Sequence, residues 1–204
     1  MKLIWIRHGE TAWNREFRLQ GKSDVELSAK GRRQAECLAN SFSEKPDRIF
    51  TSSLKRAQTF SLPLAARFAL LPTVLPELRE MSFGCWEGMR YADMDREMQL
   101  LFEKWCADPV KNCPPGGETG RSLVKRVRKA VETIMAEAAA TETVILVTHG
   151  GVIRVAVAML MGMAPACAAR IQIDAASVTV LEYLSGNWRL IRLNDTCHLQ
   201  TEDC

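Results

Sequence analysis

Two short apolar runs, each ending in His-Gly, constrain this chain more than any other feature. Lys2 to Arg7 holds the consecutive apolar residues Leu3, Ile4, Trp5 and Ile6 and stops at His8-Gly9, while Thr143 to Thr148 stops at His149-Gly150. Runs this short, rich in β-formers and apolar at successive positions, predict strands buried on both faces. Such strands belong to parallel sheets with helices covering each side.

The segments between them supply those helices. Ser28 is placed to cap a helix to about Ser43, with Ala35, Leu38, Ala39 and Phe42 as its apolar stripe, and Arg48 to Thr51 reads as a further strand. Ser53 is placed to cap a helix through Ala57 to Phe68, in which Pro63 should produce a kink or a break. Thr73 to Leu75 looks extended, Glu77 to Gly88 reads as a loop, and Met94 to Trp105 reads as a helix. A loop at Pro114 to Gly117 precedes a long helix opened by Thr119 or Ser122 and running to about Glu137. After a helix from Gly151 to Met161, Val178 to Leu184 and Trp188 to Leu193 flank Ser185-Gly186-Asn187 as a hairpin. The expected fold is therefore α/β: a three-layer sandwich with a mostly parallel sheet, helices on both faces and an antiparallel edge hairpin. At 204 residues and 22.9 kDa, the chain is expected to form one domain over residues 1–204.

A net charge of +3 falls short of the basic balance of a nucleic-acid binder, and no nucleic-acid partner is expected. The apolar stretch from Leu3 to Ile6 is too short for a signal core or a membrane span, so no membrane partner is expected either. Seven cysteines, with no two-residue-spaced pair, suggest reduced thiols in cytoplasm rather than a disulfide framework or a zinc site. No metal and no cofactor are expected.

In an open α/β sheet, ligands bind at the carboxyl ends of the parallel strands, so His8 and His149 could share one site. One histidine after a strand is more often a hydrogen-bonded loop residue, but two in matching positions favour a shared role. Arg7 adjoins His8, and Arg56 sits early in the helix after the second strand. Guanidinium forks and unpaired helix N–H groups both suit phosphate oxygens, which makes this an anion site. Asp93 and Asp95 read as solvated surface, His198 as an exposed bystander, and Trp86 and Trp105 as core or pocket wall.

The chain resembles the histidine phosphatase superfamily, which also includes cofactor-dependent phosphoglycerate mutases. The matching pieces run in order through nearly the whole sequence: Arg7-His8-Gly9-Glu10-Thr11 with Asn14, Gln20-Gly21 with Leu27-Ser28 and Gly31, Ser53 to Ala57 with Thr59, Leu78-Arg79-Glu80, Gly84 with Trp86-Glu87-Gly88, Pro115 to Glu118, and Thr148 to Gly151. The resemblance implies that His8 accepts the phosphoryl group, that Arg7, Arg56 and His149 clamp it, and that Glu80 donates the proton. It further implies phosphate or substrate contacts from Asn14, Gln20, Gly21 and Gly150, while Glu87 and Glu118 are expected in loop hydrogen bonds or substrate contacts.

Within the superfamily, the softer stretches Leu78 to Gly88, Trp105 to Asp108, and the chain after Met161-Gly162-Met163 are similar to α-ribazole phosphatases of cobalamin synthesis. The resemblance implies hydrolysis of α-ribazole 5′-phosphate, or of adenosylcobalamin 5′-phosphate, with a broad small-molecule phosphatase as the alternative. A phosphoglycerate mutase is disfavoured by the short span between Glu80 and Gly116, and a non-catalytic binding protein by the presence of every clamp residue. A small phosphorylated substrate is the expected partner, with monomer and homodimer both open.

Overall fold

The computed structural model describes residues 1–200. The strands are β1 (Lys2–Arg7), β2 (Arg48–Thr51), β3 (Thr73–Val74), β4 (Thr143–Thr148), β5 (Val178–Leu184) and β6 (Asn187–Asp195). The helices are α1 (Ala12–Arg15), α2 (Ala29–Ser41), α3 (Lys55–Phe68), α4 (Arg96–Ala107), α5 (Gly120–Glu137) and α6 (Gly150–Leu160), with short 3-10 turns between. One six-stranded sheet has the order β3-β2-β4-β1-β5-β6. The pairs from β3 through β1 are parallel, and β5 and β6 add the antiparallel edge. The α/β architecture expected from the sequence is the one observed.

Alternation along the strands explains the layers, because successive side chains leave a strand on opposite faces. Leu3 and Trp5 of β1, Phe50 of β2, and Val144 and Leu146 of β4 pack with α5 and α6, through residues such as Val127, Ile134 and Val152. Ile4, Ile6, Ile49, Ile145 and Val147 point the other way, onto Leu38 of α2 and Phe60 and Leu64 of α3. Each large apolar side chain removed from water contributes about 1.5–3 kcal/mol, and both faces of β1 and β4 are used this way.

Several local expectations need correction. Helix α3 runs unbroken through Pro63, because Phe60, Leu64 and Ala65 are anchored in the core on either side of it. Its N-cap is Leu54, not Ser53; Asp24, from a distant loop, accepts the Lys55 N–H at 2.7 Å instead. Helix α4 begins two residues late, at Arg96, because Asp95 caps it and Met94 is buried ahead of it. Thr119, not Ser122, caps α5, its side chain accepting from the Ser122 N–H. The hairpin turns on Ser185 and Gly186, both with positive φ, the pair of conformations a tight two-residue turn requires. Cys85, Cys106, Cys113, Cys167 and Cys197 are free thiols, but Cys37 is disulfide-bonded, since sequence spacing does not reveal which thiols a fold apposes. No helix among the described residues is long and apolar enough to cross a membrane.

Candidate active site

The sheet order sets β2, β4 and β1 side by side, so their carboxyl ends deliver Ser52, His149 and His8 in a row. Backbone bonds fix the register: the His8 N–H donates to the Thr148 carbonyl and the Ser52 N–H to the Val147 carbonyl, each at 3.0 Å. Gly9 and Gly31 let α2 close against the segment after His8. A Cβ on Gly9 would lie 2.6 Å from the Gly31 carbonyl oxygen, and one on Gly31 would lie 2.1 Å from that of Glu10.

His8 is 3% exposed, and its Nδ1 lies 2.7 Å from the Gly9 carbonyl oxygen. A carbonyl only accepts, so Nδ1 carries the proton and Nε2 carries the lone pair. The Arg56 Nε–H donates to that Nε2 at 3.2 Å. Burial, reinforced by the Arg56 and Arg7 guanidiniums, holds His8 well below the ordinary value of 6.5, against the smaller opposing effect of the Gly9 bond. The imidazole is thus neutral near pH 7, the state a nitrogen nucleophile needs.

Arg56 is fully buried, and its other two nitrogens donate to the Ser23 and Gly21 carbonyls at 2.7 Å each. Burial pulls it down to about 10, which leaves it charged at neutral pH. Arg7 donates to the Ile173 carbonyl at 2.7 Å, while its buried Nε has no partner. His149 is buried 5.0 Å from His8, ring centre to ring centre, and it is held well below 6.5 by burial and then by Arg56, His8 and Arg7. Two guanidiniums and two neutral imidazoles therefore meet at the start of α6, where unpaired N–H groups add positive potential.

Glu80 is 8% exposed, with Oε1 accepting from the Met81 N–H at 2.8 Å and Oε2 from the Gly151 N–H at 3.1 Å. Its loop is tied down by Thr148, whose hydroxyl donates to the Leu78 carbonyl, and by Arg126, which donates to the Glu77 and Arg79 carbonyls. Arg7, His8, Asn14, Gln20, Glu80 and Gly150 all line one cavity of about 340 Å³. Asn14 uses its Oδ1 to accept from Thr11, and the buried Gln20 amide nitrogen has no partner.

Gly21, expected among the substrate contacts, is not on the cavity wall. It lies against Glu87, and its carbonyl holds Arg56. Arg56 and His149 are buried beside His8, Arg56 donating to its Nε2 and the His149 ring lying 5.0 Å away, centre to centre. Sequence reasoning missed Ser52, whose signal was its position at a strand end matching those of the two histidines. It also missed the wall beyond the clamp, made by Met81, Phe83, Leu123, Val124, Arg154 and Val155, residues with no signature except their fold position. Trp105 lines that wall and meets Phe83 edge to face at 5.5 Å.

Glu87, Glu118, Asp93 and His198 fall outside the cavity. Glu87 accepts from the Lys22, Ser23 and Phe83 N–H groups and from the Ser23 hydroxyl, and Glu118 takes both ends of the Arg126 fork. Asp93 pairs with Arg90 on the surface. His198 is half-buried rather than exposed, because the turn that carries it folds back toward α2. Among the described residues, no group of three His, Cys, Asp or Glu side chains is placed to hold a metal ion.

Residues 3–196 match the family model of the histidine phosphatase superfamily, branch 1. Phosphoserine phosphatase 1 of Hydrogenobacter thermophilus is 32% identical over 200 residues, which cover 98% of this chain and 94% of that one. A mycobacterial glucosyl-3-phosphoglycerate phosphatase superposes with a TM-score of 0.89 at 32% identity, covering 96% of this chain and 99% of the other. The α-ribazole phosphatase of Shigella flexneri superposes with a TM-score of 0.86 at 28% identity, covering 96% of each chain. With the match spanning nearly every described element, this chain belongs to the histidine phosphatase superfamily.

Proposed function

We propose that this protein is a metal-independent phosphomonoesterase that works through a phosphohistidine on His8 and acts on α-ribazole 5′-phosphate. The observation that carries the chemistry is the neutral His8, its proton fixed on Nδ1 by the Gly9 carbonyl and its Nε2 lone pair set among Arg7, Arg56 and His149. In the first step, Nε2 forms a bond to phosphorus as the ester P–O bond breaks, and Glu80 gives a proton to the leaving oxygen. In the second, water attacks phosphorus, the N–P bond breaks, and Glu80 takes the proton from water. Charge on the equatorial oxygens is met by the guanidiniums, donors already in place before reaction.

The wall of Phe83, Trp105, Leu123, Val124 and Val155 supports a flat apolar leaving group such as the α-ribazole base. A second reading, a phosphorylated hydroxy acid such as phosphoserine, is favoured by Arg154, a guanidinium on the same wall whose buried Nε has no partner.

The test is hydrolysis, with EDTA present, of p-nitrophenyl phosphate, α-ribazole 5′-phosphate and O-phosphoserine by wild type and His8→Ala. Wild type is expected to release phosphate, with α-ribazole 5′-phosphate showing the highest kcat/KM, and the variant is expected to lose on the order of 10⁴-fold or more in kcat. Activity that survives the loss of His8, or that needs a metal, sinks the mechanism. Preference for O-phosphoserine moves the substrate to the second reading.

A further inference from the structure

Ser52 stands at the end of β2, fully buried, in line with His149 and His8. Its Oγ accepts from the Leu54 N–H at 3.2 Å and lies 2.8 Å from His149 Nε2. The other ring nitrogen of His149, Nδ1, is buried with no partner.

A neutral imidazole carries one N–H, and the partner of one nitrogen decides where it sits. If His149 Nε2 held the proton, it would donate to Ser52. The serine hydroxyl, already an acceptor from Leu54, would then have a buried proton with nowhere to go. Nδ1 would at the same time carry a buried lone pair with no donor to meet it. If Ser52 donates to Nε2 instead, both of its bonds are satisfied and the His149 proton moves to Nδ1. The one group left open is then a donor, which is what phosphoryl oxygens require. A buried unpaired polar group costs about 1–3 kcal/mol, so the first arrangement is the poorer one.

We propose that Ser52 is a positioning residue: its hydroxyl fixes His149 in the Nδ1–H tautomer, so that the clamp histidine meets the phosphoryl group with a hydrogen-bond donor. The identity of the anion rests on the phosphohistidine reading; the tautomer does not. Ser52 touches neither the reacting atoms nor the cavity wall, and acts only through His149.

The chain has three histidines, so the imidazole signals of ¹⁵N-labelled protein are few, and His198→Gln removes one set for assignment. In resting wild type at neutral pH, the expected result is His149 with its proton on Nδ1. In Ser52→Ala, the Nε2–H form should become populated and kcat for p-nitrophenyl phosphate should fall by about 10- to 100-fold, with KM changed far less. Ser52→Thr, which keeps the hydroxyl, should restore both tautomer and kcat. A wild-type Nε2–H tautomer overturns the proposal. So does a folded Ser52→Ala protein that keeps full kcat, or one that loses activity while the His149 tautomer stays unchanged. Failure of the hydrolytic reading shows separately, as a wild type that forms no phosphohistidine, because the tautomer is read from the resting protein without turnover.

Discussion

The two ends of the cavity are built on different principles. At the end that we propose holds the phosphoryl group, His8, Arg56 and His149 are buried, and each is fixed by at least one bond to a strand end or to the Gly21–Ser23 loop. At the leaving-group end, Phe83, Trp105, Leu123 and Val124 offer packing surface, and Arg154 offers a buried nitrogen without a partner. A charge held by directed bonds has one productive geometry, whereas an apolar wall accepts many shapes of similar volume. This contrast explains how relatives acting on such different leaving groups can share one fold.

The sharpest way to break the comparison is Glu80→Gln, which removes the carboxyl that we propose as proton donor between the two ends. For an alkyl ester such as α-ribazole 5′-phosphate, kcat should fall by about 10³-fold. For p-nitrophenyl phosphate, whose leaving group departs without a proton, the loss should be much smaller. Equal losses on the two substrates would remove Glu80 from the proton-donor role.

A smaller effect is expected from Trp105→Ala at the apolar end. KM for α-ribazole 5′-phosphate should rise by about tenfold while kcat for p-nitrophenyl phosphate stays within a few-fold, as fits loss of packing against one part of a ligand. A drop in kcat on both substrates would show that the wall also orients the phosphoryl end.

The most gradual effect is on stability against pH. His8 and His149 are both held well below 6.5, so the unfolded chain takes up protons that the folded chain refuses. Stability contributed by keeping them neutral is present above about pH 6.5 and is lost as pH falls below it toward their folded values. Chemical denaturation across this window should show the decline, and replacing both histidines with asparagine should flatten it. A wild-type curve that is flat from pH 7 to pH 5 would contradict the buried, neutral state of the pair.

The strand-end histidines were legible because two apolar runs of strand length stop at the same dipeptide. Arg56 was legible only in company, grouped with Arg7 and the two histidines as an anion site and given its clamp role by the resemblance, since one arginine early in a helix otherwise reads as a solvated face. Pro63 and Ser53 misled for a shared reason. Both carry strong local preferences, and in α3 those preferences yield to core anchors and to a cap supplied by Asp24, 31 residues earlier. His198 looked exposed because a polar segment near the end of the chain gives no sign of folding back.

The sequence by itself determined the layers, the parallel direction of the central strands and the chemical kinds of group at their ends. Those features follow from the periodicity of apolar residues and from the rule that ligands meet the carboxyl ends of such strands. Only the tertiary structure decided which carbonyl fixes the His8 proton, that Gly21 serves Arg56 rather than the cavity, and that Ser52 stands against His149. Hydrogen bonds between residues 35 or 97 positions apart leave no periodic trace in a chain, because they exist only once the packed core has fixed both partners.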